Sequence, residues 1–473
     1  MSSLQLSIPD IASKRLAITC YSDGRRKVQI SSNLLDMFGF SQGTKVVERT
    51  LESGGYMVEL AETSILPNKV KKIYRREYKT RKSNPFETVF ETTSKAILKG
   101  IPDSSTHVHV TMMKGRLIVK NVIDKVAQRL NKFMTSNNPL TTFSMCSSGV
   151  DAAAAQSVGM DIVSALDWRP SEKRDHQDFT ESGMLSFLAN IKGIKHFFNE
   201  DIYDVSSKYI KHVTSNSPSN LLTVSLQCDD FSIAKNSKAK TDSLLDLSST
   251  LDMCVPILNC IRDLQFPMIL MENVCQFGSS DIGKLWDLHL RRMGYFTFSK
   301  NIDCRDHEGN SSRKRLFHFA TSLPVPFEWP QETQRSTVPF WDRYIKGNEE
   351  RFRDVSHSKS IQKGKETGRL RIIDRIKPHS PTPLKSQLRM CKDSVVIEGQ
   401  EGKILFPDEA LLKDLMTIPQ SFNLDIVTST LASEIIGQAV DYKLYQEIIK
   451  SVKEHIGLAR PMITSQQLEL NAV

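Results

Sequence analysis

Hydrophobic and polar positions divide the chain into stretches of different period. From residue 141 onward, short apolar runs alternate with longer segments of helical spacing. Residues 141–145, 162–166, 220–226, 268–271 and 317–320 read as strands. Short apolar runs of this kind suit strands covered on both faces by helices, as in a mainly parallel sheet. The fold class expected here is therefore α/β, with ligands bound beyond the carboxyl ends of the strands. Between residues 322 and 400 the alternation stops, and Pro, Lys, Arg and Ser accumulate in what reads as an irregular insertion. Helical spacing returns at residues 407–416 and again at 443–455.

The first 125 residues differ and carry an internal repeat. A strand at residues 28–30 leads to a short helix over 31–38, ended by Gly39. A turn at Gln42-Gly43, a strand over 45–51, a Gly54-Gly55 turn and a strand over 56–60 follow. About sixty residues later the order returns. A strand at 89–91, a helix over 93–98 and a turn at Gly100 and Pro102 lead to strands over 107–113 and 117–120, joined at Lys114-Gly115. A basic run at 69–82, with Lys71, Lys72, Arg75, Arg76, Lys79, Arg81 and Lys82, separates the copies and suits sequence-independent phosphate contact. The first copy resembles the small swapped-hairpin modules of AbrB-type DNA-binding regulators. That resemblance implies DNA contact, or a homodimer formed through these β modules. A small β-rich dimerisation or packing domain with a solvated basic linker is the plainer alternative.

Composition narrows the partners. The 473 residues carry a formal charge of +9, with a pI near 9.0, which favours an anionic partner such as nucleic acid. Eight dispersed cysteines, none in a C-x-x-C pair, predict free thiols in a reducing, cytoplasmic setting and no metal site. No apolar leader and no membrane span is expected, because no apolar run reaches 18 residues.

Three segments offer chemistry. Gln227-Cys228-Asp229-Asp230-Phe231-Ser232 places a cysteine on the loop after a strand, where a thiolate can attack an electron-poor ring carbon. Glu272-Asn273-Val274 ends the next apolar strand, and a desolvated carboxyl there can donate a proton to a ring nitrogen. In Ser311-Ser312-Arg313-Lys314-Arg315, Arg313 and Arg315 point to one side and can clamp a carbonyl oxygen or a phosphate. Taken singly, an inert loop thiol, a solvated strand-end carboxylate and an exposed basic edge are the alternatives.

In this order and spacing the segments resemble the cytosine-C5 methyltransferase family, with its P-C-Q-x-F-S loop, E-N-V strand end and Q-x-R-x-R segment. Phe143-Ser144-Met145-Cys146-Ser147-Ser148-Gly149 looks like that family's cofactor loop. Asp167-Trp168 and Asp201-Ile202 stand at its ribose and adenine positions. Gly437-Gln438-Ala439-Val440 resembles the G-N-A-V segment that completes the cofactor pocket. The resemblance covers roughly residues 141–459 and implies a Rossmann-like S-adenosylmethionine-dependent sheet. It further implies that Cys228 attacks C6 of a flipped-out cytosine in double-stranded DNA, that Glu272 serves N3, and that Arg313 and Arg315 hold the base. Phe143, Ser144, Ser147, Asp167, Trp168, Asp201, Ile202, Gln438 and Val440 would then hold the cofactor. The implied organisation is a β-rich module at 1–65, a basic linker with a second module at 66–135, and a catalytic core at 136–321. A target-recognition module at 322–400 and a C-terminal completion of the core at 401–473 follow.

The sequence also departs from that family. Met145, Ser147 and Ser148 replace glycines, Gln227 replaces the proline before the nucleophile, and Ser311 and Gln438 replace Gln and Asn. Asp229 places a carboxylate beside Cys228, which raises a thiol pKa. An RNA cytosine-C5 methyltransferase, or an inactive DNA-binding regulator on the same fold, therefore remain alternatives.

Overall fold

The structure is a computed structural model and describes residues 7–62, 70–82, 85–172, 175–231 and 237–471, with side chains to residue 463. It contains two compact units, Met1–Asp124 and Lys125–Val473.

The larger unit is built on a seven-stranded sheet. Its strands, numbered within the sheet, are β1 (Thr141–Met145), β2 (Asp161–Leu166), β3 (His196–Phe198), β4 (Leu221–Ser225), β5 (Met268–Asn273), β6 (Phe296–Asp303) and β7 (Lys314–Thr321). The order is β3-β2-β1-β4-β5-β7-β6, with β7 antiparallel to both neighbours. The chain leaves β1 toward β2 and β3, then returns to β4 on the other side of β1. That reversal opens a crevice at the carboxyl ends of β1 and β4.

Alternating strand residues feed two cores. Ile269 and Met271 of β5, with Leu222 and Val224 of β4, pack with Phe143 and Met145. Met268, Leu270, Phe317 and Phe319 pack with the helices from the far end of the chain. Every residue of β5 is buried, as its central position requires. Helix Asp281–Arg292, which leads from β5 to β6, shows how the local sequence sets an element. Ser280 caps it by accepting from Gly283 N at 3.1 Å. Trp286 and Leu290 face the core, and His289, Arg291 and Arg292 occupy the last turn, where the helix dipole favours cations.

The stretch that reads as irregular contains a four-stranded sheet, ordered Arg353–Asp354, Ile404–Phe406, Val395–Glu398 and Arg371–Ile373. Its strands hold two to four residues each, too short for a period to show in the sequence. The strand Ile404–Phe406 lies past residue 400, so this sheet borrows from the following segment. Val396, Ile404 and Phe406 form a small core with Val355 and Ile361, while Val395, Ile397 and Leu405 join the large one. Helix Tyr442–Asn471 then returns to the main sheet. Tyr442 Oη donates to Ala153 O at 3.2 Å, and Gln446 Nε2 to Ser157 Oγ at 2.8 Å.

Within Met1–Asp124 the two repeat copies form one interlocked unit and not two in series. Strand Arg26–Ser31 pairs with its counterpart Phe86–Thr92, and Tyr56–Leu60 pairs with Arg116–Asn121. Gly115 N donates to Phe38 O at 2.8 Å, and reciprocally Gly55 N donates to Gly100 O at 2.6 Å. Each hairpin turn thus closes on the other copy's helix end, so the two copies interlock within one chain. The basic stretch does not serve as a plain linker. Lys71–Lys72 and Tyr74–Glu77 are strands of this unit, and Lys69 lies outside the described residues. Lys71 is paired with Glu48 at 2.8 Å and Arg75 with Asp36 at 3.6 Å, while Lys72, Arg75, Lys79, Arg81 and Lys82 remain exposed. No helix among the described residues is long and apolar enough to cross a membrane.

Candidate active site

The carboxyl ends of β4, β5 and the start of β7 lie side by side. Ser225 is in register with Glu272, and Asn273 with Leu316. Glu272 is buried, and Arg315 Nε lies 3.0 Å from Glu272 Oε1. Burial raises the Glu272 carboxyl above its ordinary value, against the pull of Arg315 and Arg313. This is the environment in which a carboxyl group can hold a proton near neutral pH.

Cys228 faces the same group of charges from the loop after β4. Desolvation, then Asp229 and Glu272, push its thiol up, while Arg315 and Arg313 pull it down. The thiol is half-buried and unpaired. The loop is fixed at several points. Asn273 Nδ2 donates to Leu226 O at 3.1 Å, and Phe231 N to Cys228 O at 3.0 Å. Phe231 packs edge-on against Phe277, with centroids 5.0 Å apart. Buried Asp230 accepts from Thr250 N at 2.8 Å and Ser249 Oγ at 3.0 Å. Ser232 lies outside the described residues. The anchors Asp230 and Asn273 escape a search for reactive groups. An acidic residue in a loop of mostly polar residues was the only signal for Asp230, and it did not say which way the side chain turns.

Arg313 is fully enclosed and does more than face the cleft. Its two terminal nitrogens donate to Gly437 O at 3.3 Å and Gln438 O at 3.0 Å, the last carbonyls of helix Ser429–Gln438. A cation at a helix carboxyl end is favoured by the dipole and by the unpaired carbonyls there. Burial pushes its pKa down to about 9, so the guanidinium stays charged at neutral pH. The structure therefore brings Cys228, Glu272, Arg313 and Arg315 to one place, with Gln438 tied in through its carbonyl.

The residues at the ends of β1, β2 and β3 form a second, adjoining group. Cys146 adopts φ 57° and Gly149 φ 107°, so the chain turns sharply before helix Val150–Ser157. An added Cβ on Gly149 would stand 3.0 Å from Phe187 Cα, which leaves no room for a side chain. Ser147 Oγ accepts from Gly149 N at 3.0 Å and bonds Asp151. Asp167 follows β2, and its carboxylate lies against Gly183, where an added Cβ would overlap Oδ2. Burial, and then Asp151, raise Asp167 to about 7. Asp201 follows β3, with Oδ1 accepting from Tyr203 N at 3.0 Å. Desolvation, followed by Asp167, Cys260, Asp201 and Asp151, holds the Cys146 thiol well above its ordinary value. Three carboxylates thus converge on the turn after β1.

This group can be tested against S-adenosylmethionine, a cationic ligand with ribose hydroxyl and adenine amino donors. Carboxylates at β2 and β3 suit those donors, and their joint charge suits the cation. Buried Ser144 Oγ and Asp151 Oδ2 have no hydrogen-bond partner among the described residues, which leaves acceptors free at the turn. The donor set fits. Phe143 and Ile202 are core residues in one cluster and Val440 in the other, so they shape the surroundings by packing. Trp168 is half-buried, and the Gln438 side chain is exposed. Asp151 belongs to this group as well, and the sequence reading missed it because it looks like an ordinary first-turn helix residue.

Residues 184–383 match the family described as C-5 cytosine-specific DNA methylase. The match contains Asp201, Cys228, Glu272, Arg313 and Arg315, while the turn after β1 and the 437–440 segment lie outside it. No curated protein compared with the chain matches it. Among solved structures, the S. pombe Dnmt2 methyltransferase is similar at 16% identity and a TM-score of 0.50, covering 66% of this chain and 97% of its own. The Entamoeba histolytica methyltransferase EhMeth is similar at 15% identity and a TM-score of 0.52, covering 67% and 98%. At these identities the likeness speaks for the fold. The chain thus carries a C-5 cytosine-specific DNA methylase family domain across residues 184–383, within an α/β methyltransferase fold.

Proposed function

We propose that this protein methylates C5 of cytosine in DNA, using S-adenosylmethionine. The observation that carries the reading is the convergence of the Cys228 thiol with Glu272, Arg313 and Arg315 at the ends of β4, β5 and β7. In this scheme the Cys228 sulfur, as thiolate, forms a bond to C6 of an extruded cytosine. The electron pair of the C5–C6 double bond moves toward C5 and the ring, and Glu272 delivers its proton to N3. Arg315 keeps Glu272 oriented and can hold the ring carbonyl. When bound, S-adenosylmethionine supplies the electrophilic methyl group that such a C5 takes. Removal of the C5 proton by a base then expels the thiolate and restores the double bond, and N3 returns its proton to Glu272. The base must leave the stack, because C6 is closed off within a duplex.

The chain's divisions follow from this reading. Residues 322–400 serve as the target-recognition module, and 401–473 complete the catalytic core. The AbrB-like unit adds phosphate contact through the exposed Lys72, Arg75, Lys79, Arg81 and Lys82. The test is methyl transfer from tritiated cofactor to duplex DNA and, in parallel, to structured RNA. Label in DNA supports the proposal. Label in RNA alone replaces DNA as the substrate, and label in neither, with DNA binding intact, makes the chain a binding protein.

A further inference from the structure

Outside the catalytic group lies a cavity of about 270 Å³, lined by Arg305, Arg335, Ser336, Lys377, Pro378 and His379. Four of these six residues carry basic side chains. The two arginines are braced from behind by carboxylates. Asp303 receives Arg305 Nε at 3.0 Å and Arg305 Nη2 at 2.6 Å, and Asp306 receives Arg335 Nε and, at 3.0 Å, Arg335 Nη2. Each fork is thereby fixed, while neither Nη1 has a partner among the described residues. Lys377 is paired with Asp374 at 2.6 Å but is mostly exposed. His379 Nε2 is buried and has no hydrogen-bond partner among the described residues. Burial, then Arg305, Arg343 and Arg335, hold its ring below the ordinary pKa, against Asp303 alone.

The position of this cavity matters as much as its charge. Arg305 and Arg313 stand at the two ends of the turn that joins β6 to β7. The segment bearing His379 is stitched to that turn. Ser380 N donates to Asn310 O at 2.9 Å, and Ser312 N to Ser380 O at 2.9 Å. Arg343 binds Asn310 Oδ1 at 2.8 Å and Pro378 O at 2.7 Å, which ties the two segments together. The cavity is thus built rigidly onto the same sheet edge as Arg313, Arg315 and Glu272.

We propose that this cavity seats one backbone phosphate of the nucleic acid whose base enters the catalytic group. The free nitrogens of Arg305 and Arg335, with Lys377 and His379, supply the donors. A carboxylate-braced arginine retains donors for a phosphate and is already oriented, so little order is lost on binding. The seat fixes the register of the strand relative to Cys228 without reading sequence. This inference rests on the proposed function for its ligand, yet its readout is binding and not methyl transfer.

The test compares the full chain with Lys377→Gln and Arg335→Gln, using a fluorescent duplex of about two turns, with affinity followed against salt. Loss of one phosphate contact should lower the slope of log affinity against log salt by about 1 in each variant, with the same thermal midpoint for Lys377→Gln. Lys377 is exposed, so that variant tests the contact even if Arg335→Gln folds poorly. Slopes equal to wild type, or a wild-type chain that binds no nucleic acid, overturn the proposal. A reduced slope in a chain that transfers no methyl group upholds the phosphate seat and overturns the catalytic reading alone. Equal slope changes with a structured RNA probe would keep the seat and change the polymer.

Discussion

Arg315 Nε and Glu272 Oε1 stand 3.0 Å apart on neighbouring antiparallel strands, both largely withdrawn from solvent. Burial raises the Glu272 carboxyl above its ordinary range, while the guanidiniums of Arg315 and Arg313 pull it back down. If Glu272 supplies the proton to the ring, Glu272→Gln should lower turnover by about 10²- to 10⁴-fold with DNA affinity little changed. Single-turnover transfer and anisotropy titration check the two halves. Arg315→Ala should act differently. It leaves Glu272 buried without its partner, so the thermal midpoint should fall, by a free energy of about 3 kcal/mol. A Gln variant at position 272 with normal turnover would remove Glu272 from the chemistry.

The environment of Cys228 sets the pH dependence of its thiol. Desolvation and the carboxylates of Asp229 and Glu272 favour the neutral form. Alkylation of Cys228 should therefore rise with pH through a midpoint above that of an ordinary thiol. Asp229→Asn removes one negative charge and should move that midpoint down. Mass spectrometry of the labelled peptide at stepped pH gives both values. A midpoint that stays put or climbs in the variant contradicts the electrostatic assignment. With a 5-fluorocytosine duplex, a covalent adduct should form with wild type and vanish in Cys228→Ala.

If Asp167 contacts the cofactor as proposed, its titration should couple cofactor binding to pH. In the fold it keeps its proton to about 7, above the unfolded value of about 4. Between those values the native state binds more protons than the unfolded chain, so the contribution of this group to stability falls as pH rises through that window. The carboxylate is the form that accepts ribose hydroxyls, so affinity for S-adenosylhomocysteine should strengthen as pH rises through about 7. Asp167→Asn should bind weakly at pH 6 and pH 8 alike, and should show a flatter stability profile. Calorimetric titration at the two pH values decides. An affinity equal in wild type at both would exclude Asp167 from the site.

The interlock of the N-terminal unit depends on two glycines. Gly55 has φ 84°, and an added Cβ would stand 2.2 Å from Val119 O, while one on Gly100 would stand 2.4 Å from Gly55 O. Gly55→Ala therefore adds left-handed strain, about 1–2 kcal/mol, to a backbone clash, and should destabilise this unit by more than that strain alone. Proteolysis within residues 1–124 should accelerate, while the core beginning at Lys125 should keep its resistance. Unaltered digestion would mean that the two hairpins can separate without loss.

Much of the core was legible because its strands are buried on both faces. An apolar run bounded by turns has few other readings, and β1 emerged with its ends unchanged at Thr141 and Met145. The repeat was legible too, since glycines at turns constrain the backbone wherever they fall. Gly39 caps the first short helix at φ 90°, whereas Lys99 and not Gly100 caps the second, and the strands before and after each copy formed where their alternation indicated. The short strands Arg371–Ile373 and Ile404–Phe406 and helix Ser429–Gln438 were not legible. The strands are too short to show a period, and the helix buries Ser433 and Glu434 along with Leu431 and Ile435, so no polar face marks it.

The linear order of residues determined which groups this protein owns. It fixed a cysteine after one apolar run, a glutamate at the end of the next, and two arginines before a third. It also set the glycine turns and the excess of positive charge. Whether those groups meet was decided only by the tertiary structure, because strand order is not written in sequence order. The placement of β7 between β5 and β6 is what sets Arg315 beside Glu272. The return of the chain's end to Arg313, the turning inward of Asp230 and Asn273, and the closing of each repeat on the other likewise depend on contacts between residues distant in sequence. Such contacts are selected by packing and by the pairing of buried polar groups, which the fold settles as a whole.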